Sequence, residues 1–221
     1  MTDRRFVNNT VPKLQEATHN PALDYEHFPV LTLEEAVESI SHLIPGVVAY
    51  ASSAKKNCSR DSALLTWDES AALYLYTMPV PFYSSLNTVL RVESKQLLRP
   101  WLASLKLLVT ALKKLPPIAA IVWRGVDYDA TENFVDHNVY TWWSLTSCSM
   151  NIKSVQDFLG TSGTLFTIKT THGKDVSMFS AVPDEAEVVL MPGTRVRAKS
   201  EALNFIDRLF VIHLEEIIPQ R

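Results

Sequence analysis

The sequence lacks the features that mark several large classes of protein. Of its 221 residues only two are cysteine, Cys58 and Cys148, which excludes a disulfide framework, leaves a single bridge open and mildly favours a reducing compartment. A formal net charge of -3 at pH 7 does not suggest a nucleic-acid-binding surface. Because the six histidines have no metal-ligand spacing and neither cysteine belongs to a Cys-x-x-Cys pair, we expect no bound metal.

Long apolar segments are also missing. The longest run without a charged residue lies between Glu69 and Arg91, where Pro79, Pro81 and Asn87 interrupt it, so it predicts a buried helix with a loop instead of a membrane span. Polar sequence follows the first few residues, unlike the apolar core of a signal peptide. We therefore expect a soluble, cytoplasmic protein that has neither a membrane nor a nucleic acid as its partner.

The first half of the chain has the pattern of helices. Apolar residues make up 47% of the sequence and charged residues 20%, which is enough for a core that needs neither disulfides nor metals. Two capping boxes, Thr32–Glu35 and Thr66–Glu69, predict where helices begin, and Pro45-Gly46 is expected to end the first of them. A 3.6-residue apolar period then predicts a helix over about 94–115, which Pro116-Pro117 would end.

After Pro117 the pattern changes to that of strands. Short runs rich in valine, isoleucine, threonine and aromatic residues are separated by turn residues, and they fall at 118–123, 139–150, 164–170, 187–191, 194–199 and 207–216. Helices followed by strands predict an α+β fold and not a parallel βαβ fold. We expect one domain over 1–221, with a loosely held segment over 1–30, a helical lobe over 31–117 and a β core over 118–221.

Polar groups suited to a phosphorylated, sugar-bearing substrate lie on two of the predicted strands. Arg124 ends an apolar strand directly before Gly125; arginine binds phosphate in bidentate geometry, and glycine lets a ligand approach the backbone. Strand alternation places Ser147 and Ser149 on one face and Cys148, which we expect to be packed, on the other. Taken alone, each feature has an ordinary explanation: an ion pair for the arginine, and a strand edge with small polar residues for the serines.

A third candidate group is a pair of carboxylates. Glu185 and Glu187 flank Ala186 at the start of an apolar strand, and their spacing predicts that both project from one face of that strand. Because like charges that lie close together repel, one pKa is expected to rise while the other stays low, as acid–base chemistry and the stabilisation of a carbocation require. Two solvated glutamates on a loop are the alternative.

In this order, the three groups resemble the R-S-E signature of the cholera-toxin-like mono-ADP-ribosyltransferases, and in particular their arginine-specific, animal-type branch. Trp123-Arg124-Gly125 matches the arginine element, Ser147-Cys148-Ser149 the serine element with cysteine in place of the usual threonine, and Glu185-Ala186-Glu187 the Glu-x-Glu element. Their spacings of 23 and 40 residues also fit. The resemblance covers most of Thr66–Glu216. The extracellular vertebrate members carry disulfides and secretion signals that this sequence lacks, so surface anchoring is not implied.

The resemblance implies an enzyme that takes NAD as its substrate, needs no metal, and holds NAD in a cleft of a mixed or antiparallel two-sheet β core. It implies that Arg124 binds the NAD phosphates and that the Gly125 backbone faces the nicotinamide amide. Ser147 would fix the ribose or steady the catalytic glutamate, and Ser149 would also contribute to NAD binding. Glu187 would bond a ribose hydroxyl and stabilise the positive charge that develops on the sugar as nicotinamide leaves.

The same resemblance implies a protein arginine as the acceptor of ADP-ribose. Glu185 would align the guanidinium and accept its proton, because free arginine is protonated and is a poor nucleophile. Phe158, in the loop before Gly163, would stack on nicotinamide, with a packed core position as the alternative, and Phe179 and Ser180 would meet the target protein. The open alternatives are an NAD glycohydrolase that uses water, a catalytically silent module and an unrelated α+β domain.

Overall fold

The chain divides into two units, one made of helices and one made mainly of strands. The structure is a computed structural model that describes residues 7–8, 25–60, 62–92, 94–159, 162–199, 203–206 and 209–218, without the side chains at 7–8, 157–158 and 203–206. The helical unit comprises the described part of 25–116 together with 176–184, and the strand unit comprises the described part of 7–8, 117–175 and 185–218. Most of the segment 1–30, which we predicted to be loosely held, lies outside the described residues.

Local sequence signals set where the helices begin. The helices are α1 (Leu33–Glu38), α2 (Val47–Asn57), α3 (Trp67–Thr77), α4 (Phe82–Val92), α5 (Lys95–Leu98) and α6 (Leu102–Lys114). At the start of α1 and α3 the threonine hydroxyl accepts a backbone N–H from three residues on, and the glutamate there accepts the N–H of the threonine, at 3.0 and 2.8 Å. Both predicted capping boxes are therefore confirmed.

Two helices end or break earlier than the apolar periods predict. α1 stops at Glu38, and the chain continues in turns in which Ile40 and Leu43 donate to residues three positions back, a tighter winding than the α-helix. The helix predicted over 94–115 is split into α5, a 3₁₀ turn at Arg99–Trp101, and α6. Pro100 accounts for the break, because it has no N–H and its ring clashes with the preceding turn of an α-helix.

Among the described residues, nine strands and one α-helix belong to the second unit. The strands are β1 (Val7–Asn8), β2 (Pro117–Val126), β3 (Val139–Trp142), β4 (Thr146–Ser149), β5 (Gly163–Asp175), β6 (Glu187–Leu190), β7 (Thr194–Ala198), β8 (Leu203–Ile206) and β9 (Leu209–Glu216), with α7 at Ile152–Leu159. They pair in the order β1-β2-β4-β6-β5-β9-β7-β3, while β8 pairs with β9 and β2 also pairs with β5. Only β1 with β2 and β5 with β9 are parallel among these pairs. The α+β prediction is confirmed.

One face of these strands carries the core of the unit. The fully or nearly fully buried side chains there include Val122, Phe166, Ile168, Val188 and Ile212, which alternate along their strands with residues on the opposite face. β2 and β5 pair over most of their length and hold the middle of the unit together. The residues of the candidate site lie where the short strand β4 runs between β2 and β6.

Two of the elements predicted for this unit are wrong. The run 139–150 is not one strand, because β3 pairs with β7 while β4 lies between β2 and β6. The segment after the serine motif is not a loop but the helix α7, whose Val155 and Leu159 are buried against the sheet. A signal for it was present in the sequence: Asn151 accepts the backbone N–H of Lys153 with its side-chain oxygen at 3.1 Å, as an N-cap residue does.

Candidate active site

Three neighbouring strands bring the arginine, serine and glutamate motifs together. β4 lies between β2 and β6, and its residue Ser149 stands opposite Trp123 on one side and opposite Glu187 on the other. Residues directly opposite each other on antiparallel strands project from the same face, with Cβ atoms about 4.5–5.5 Å apart. Motifs that are far apart in the sequence therefore meet at one place in the sheet.

Glu187 is the first residue of β6 and is fully buried. It shares its face of the sheet with Ser147 and Ser149, both also fully buried, while Cys148 and Val188 project from the opposite face into the core. The predicted placement of the two serines and of Cys148 on opposite faces is confirmed. A carboxylate beside two hydroxyl groups, out of contact with water, is an arrangement suited to stabilising a developing positive charge.

Arg124 contacts the serine motif at the point where the neighbour of β2 changes from β4 to β1. β2 pairs with β4 at Trp123, whereas from Gly125 onward it pairs with β1. In between, the buried Arg124 donates from Nη1 to the carbonyl oxygen of Ser147 at 2.6 Å. One of the five N–H donors of the guanidinium is thus bonded to the backbone of the serine motif, which ties the first two predicted elements together.

The hydroxyl group of Ser149 is bonded to the backbone on both sides of the site. It donates to the carbonyl oxygen of Glu185 at 2.5 Å and accepts the N–H of Asn151 at 2.9 Å. The predicted role of Ser149 was in NAD binding. That role stays a prediction; in the structure the hydroxyl joins the end of β4, the start of α7 and Glu185.

The two glutamates do not project from one strand, and that prediction is wrong. Glu185 ends a 3₁₀ turn (Pro183–Glu185), and Ala186 has a left-handed backbone with φ of 46°. Strand alternation begins only at Glu187, which is fully buried, whereas Glu185 is half-buried. The left-handed conformation costs an alanine roughly 1–2 kcal/mol, and it gives the two carboxylates different surroundings.

Cys148 is packed, as predicted. Its side chain is fully buried in the core, and burial raises the pKa of its thiol to about 12; the charge of Arg124 opposes this rise and that of Glu187 adds to it. Such a thiol is neutral at physiological pH and is a poor nucleophile. Cys58 is a free, buried cysteine as well, so the single disulfide that the sequence left open is not formed.

Comparison with known proteins decides the family. The family model described as NAD:arginine ADP-ribosyltransferase matches residues 27–217, which is most of the chain. The chain belongs to the NAD:arginine ADP-ribosyltransferase family. Members of this family take NAD as a substrate, as the resemblance of the sequence motifs implied.

Individual members of the NAD:arginine ADP-ribosyltransferase family are also similar to the chain. A putative NAD(+)–arginine ADP-ribosyltransferase of Mycobacterium avium is 32% identical over 139 residues, 62% of this chain and 16% of that protein. The NAD(+)–protein-arginine ADP-ribosyltransferase Tre1 of Serratia proteamaculans is 30% identical over 187 residues, 84% of this chain and 39% of that protein. The chain therefore spans less than half the length of either relative.

The fold is also that of a solved mono-ADP-ribosyltransferase structure. The eukaryotic mono-ADP-ribosyltransferase ART2.2 superimposes with a TM-score of 0.62 at 20% sequence identity, over 99% of this chain and 96% of that one. At 20% identity this likeness shows that the two proteins share a fold, that is, the arrangement of helices and strands.

Three further predicted residues have less direct support from the structure. Phe158 belongs to α7, but its side chain lies outside the described residues. Phe179 and Ser180 were predicted to meet the target protein, yet both are buried, at 8% and 6% exposed, in the helical unit. Their neighbour Met178 is 88% exposed, and it was not among the residues singled out from the sequence.

Trp123 is a candidate site residue that sequence reasoning treated only as part of a motif. It stands in the row with Ser149 and Glu187, and it lines a cavity of about 300 Å³ beside α7, together with Ile152, Gln156, Leu165, Thr167, Leu209, Val211 and His213. Gly125, the next residue but one, is buried opposite Leu165 of β5. The row of Trp123, Ser149 and Glu187 depends on the register between strands that are far apart in the sequence, so no local sequence pattern predicts it.

The described part of the chain lacks two features, a metal-binding cluster and a membrane-spanning helix. No group of three or more histidine, cysteine, aspartate or glutamate side chains in it is arranged to hold a metal ion. Within the same residues, no helix is long and apolar enough to cross a membrane.

Proposed function

We propose that this NAD:arginine ADP-ribosyltransferase family member cleaves NAD at the bond between nicotinamide and ribose and transfers ADP-ribose to an arginine side chain of a protein. The observation that carries the proposal is the position of Glu187. It is fully buried at the start of β6, opposite Ser149 and on the same face as Ser147, whose carbonyl group is bonded to Arg124. Arginine, serine and glutamate therefore lie together in one unit of the molecule.

In the first step, the C–N bond of the nicotinamide ribose breaks and the electron pair leaves with nicotinamide. The sugar carbon then acquires oxocarbenium character, as in the hydrolysis of glycosides. An ionised Glu187, held in place before the reaction, stabilises that positive charge and accepts a hydrogen bond from a ribose hydroxyl. The buried position of Glu187 strengthens such electrostatic stabilisation, because little water is present to screen it.

In the second step, a guanidinium nitrogen of the acceptor forms a bond to the sugar carbon and loses a proton. Glu185 is the group we assign to receive that proton, because a guanidinium that stays protonated is a poor nucleophile. Its half-buried position supports this assignment, since the acceptor arrives from solvent on a second protein. The fully buried Glu187 is less suited to that task.

The remaining assignments concern the binding of NAD. We assign Arg124 to the phosphates, the Gly125 backbone to the nicotinamide amide and Ser147 to the ribose or to Glu187, and we retain Phe158 as the ring that stacks on nicotinamide. The bond between Arg124 and the Ser147 carbonyl supports a shared role, because each then orients the other. We also propose that residues 118–221 form the NAD-binding β core and 31–117 the helical lobe of one transferase domain.

The target remains a protein arginine of unidentified sequence context. We propose that the segment containing Phe179 and Ser180 contributes to its recognition, through the exposed Met178 in the first instance. We propose a reducing compartment, such as the cytoplasm, as the place of action, in which the two free cysteines stay reduced.

The test is a measurement of NAD consumption by the purified chain, with and without agmatine, a small guanidino compound. We expect nicotinamide release together with ADP-ribosyl-agmatine. Release of nicotinamide at the same rate with no labelled agmatine or protein would identify an NAD glycohydrolase. Absence of any NAD cleavage, in a chain that still binds NAD, would identify a catalytically silent module.

A further inference from the structure

The left-handed backbone of Ala186 separates the two glutamates of the site. We propose that Ala186 is a positioning residue: its backbone conformation holds Glu185 off the buried face that carries Glu187, and in this way it determines whether arginine or water receives ADP-ribose. The inference rests on the proposed function, because it concerns the choice of acceptor in that reaction. Glu185, Ala186 and Glu187 together form what we call the 185–187 turn.

The conformation of Ala186 is unusual for its residue type. Its φ is 46°, and His137 is the other non-glycine residue with a positive φ among those described. Residues other than glycine, asparagine and aspartate avoid this region because Cβ approaches the carbonyl oxygen. Strained backbone of this kind is found at functional sites more often than elsewhere, where neighbouring contacts hold it.

Two hydrogen bonds hold the 185–187 turn against the end of β4. The carbonyl oxygen of Ala186 accepts the N–H of Met150 at 2.9 Å, and the carbonyl oxygen of Glu185 accepts the Ser149 hydroxyl at 2.5 Å. The first bond extends the pairing of β4 with β6 by one residue. The second is a side-chain bond to the residue before Ala186, which lies outside the strand, because β6 begins only at Glu187.

An extended Ala186 would give a different site. Strand alternation would then place Glu185 on the same buried face as Glu187, two positions along, as the sequence alone predicts. Two carboxylates close together in a buried site cannot both stay ionised easily, because their charges repel. In the observed turn Glu187 is fully buried and Glu185 is half-buried, so one carboxylate is available to the sugar and the other to an acceptor from solvent.

Substitutions at Ala186 separate the backbone conformation from the size of the side chain. Asparagine and valine have similar sizes, but asparagine tolerates a positive φ whereas the β-branched valine does not. We expect Ala186→Asn and Ala186→Gly to keep the wild-type ratio of agmatine transfer to NAD hydrolysis within about twofold. Ala186→Val is expected to lower this ratio about tenfold, mainly through the kcat for transfer.

A second variant covers the case in which Ala186→Val does not fold, which its thermal melting curve would reveal. Ser149→Ala removes the hydroxyl bond to Glu185 while leaving Ala186 unchanged, and we expect it to lower transfer more than hydrolysis. Equal ratios in the asparagine and valine variants overturn the proposal. If Ala186→Val is unfolded, an equal loss of agmatine transfer and of NAD hydrolysis in Ser149→Ala also overturns the proposal. If the wild type cleaves no NAD, the proposed function has failed instead, and the acceptor role of Ala186 with it.

Discussion

Each unit contains a buried glutamate, and the two carboxylates differ in the structure that surrounds them. In the helical unit, Glu69 accepts the N–H of Thr66 at 2.8 Å and forms a 2.7 Å ion pair with Lys114. These contacts cap α3 and join it to α6, so the carboxylate has a structural role. In the strand unit, Glu187 stands at the start of β6 beside two buried serines.

The difference shows that burial alone does not distinguish a candidate catalytic carboxylate from a structural one. Both side chains are at most 3% exposed, yet the contacts of Glu69 belong to helix ends that its own local sequence predicts. The surroundings of Glu187 come from β2 and β4, which are far from it in the sequence. Substitutions of the two residues should therefore affect different properties of the protein.

The largest effect is expected for Glu187→Gln. Replacing the ionised carboxylate with a neutral amide of the same shape should reduce NAD cleavage by about a hundredfold to a thousandfold, because stabilisation of the sugar cation is lost. Nicotinamide release, measured by chromatography, checks this, and the thermal melting temperature should fall little. Glu69→Gln is the matched control, with activity expected to stay near that of the wild type. Comparable losses of activity in both variants would contradict the distinction.

A smaller and more selective effect is expected for Glu185→Gln. Removing the group that accepts the proton should lower transfer to agmatine by about a hundredfold, while NAD hydrolysis changes by only a few-fold. The measurement is the ratio of ADP-ribosyl-agmatine to free ADP-ribose at fixed NAD. Glu215→Gln, in β9 of the same unit, is the control for loss of a negative charge, and it also removes the ion pairs to Lys169 and Lys199. A proportional loss of both products in Glu185→Gln would exclude an acceptor role.

Local patterns predicted the helical unit better than the strand unit. The capping boxes at Thr32 and Thr66 involve residues three positions apart, and both form as predicted. The α+β fold and the family were also predicted, and are confirmed. The split of 139–150 into β3 and β4 was not, because it depends on which distant strands each part pairs with.

The details of the candidate site were predictable only in part, for the same reason. Alternation correctly placed Ser147 and Ser149 on one face, since it needs no knowledge of neighbouring strands. It failed for Glu185, because a single left-handed residue, Ala186, interrupts the strand. The row of Trp123, Ser149 and Glu187 depends on the register of three strands, and their roles in catalysis stay predictions until the variants are measured.

The structural role of Glu69 predicts a moderate loss of stability when its contacts are removed. Glu69→Ala should lower the free energy of unfolding by about 1–2 kcal/mol, because the N-cap bond to Thr66 is lost and Lys114 returns to water. Glu69→Gln keeps a side chain that can complete the capping box and loses only the ion pair, so its effect should be less than half as large. Chemical denaturation of both variants measures the two contributions. Equal destabilisation would assign the stability to the ion pair and not to the cap.

The smallest effect concerns a third carboxylate, Glu216 in β9, which also has a structural role. Burial tends to raise its pKa, but hydrogen bonds from the Thr170 hydroxyl and from the N–H groups of Thr171 and His172 outweigh burial, and the pKa lies below its ordinary value. A carboxylate with a lowered pKa in the folded state stabilises the fold above its unfolded pKa of about 4.3, and this stabilisation is lost as the pH falls through the folded pKa. The difference in unfolding free energy between wild type and Glu216→Gln should therefore shrink as the pH falls below about 5. Denaturation at a series of pH values measures it, and a difference that stays constant to pH 3 would show that the bonds to Thr170–His172 do not favour the ionised form.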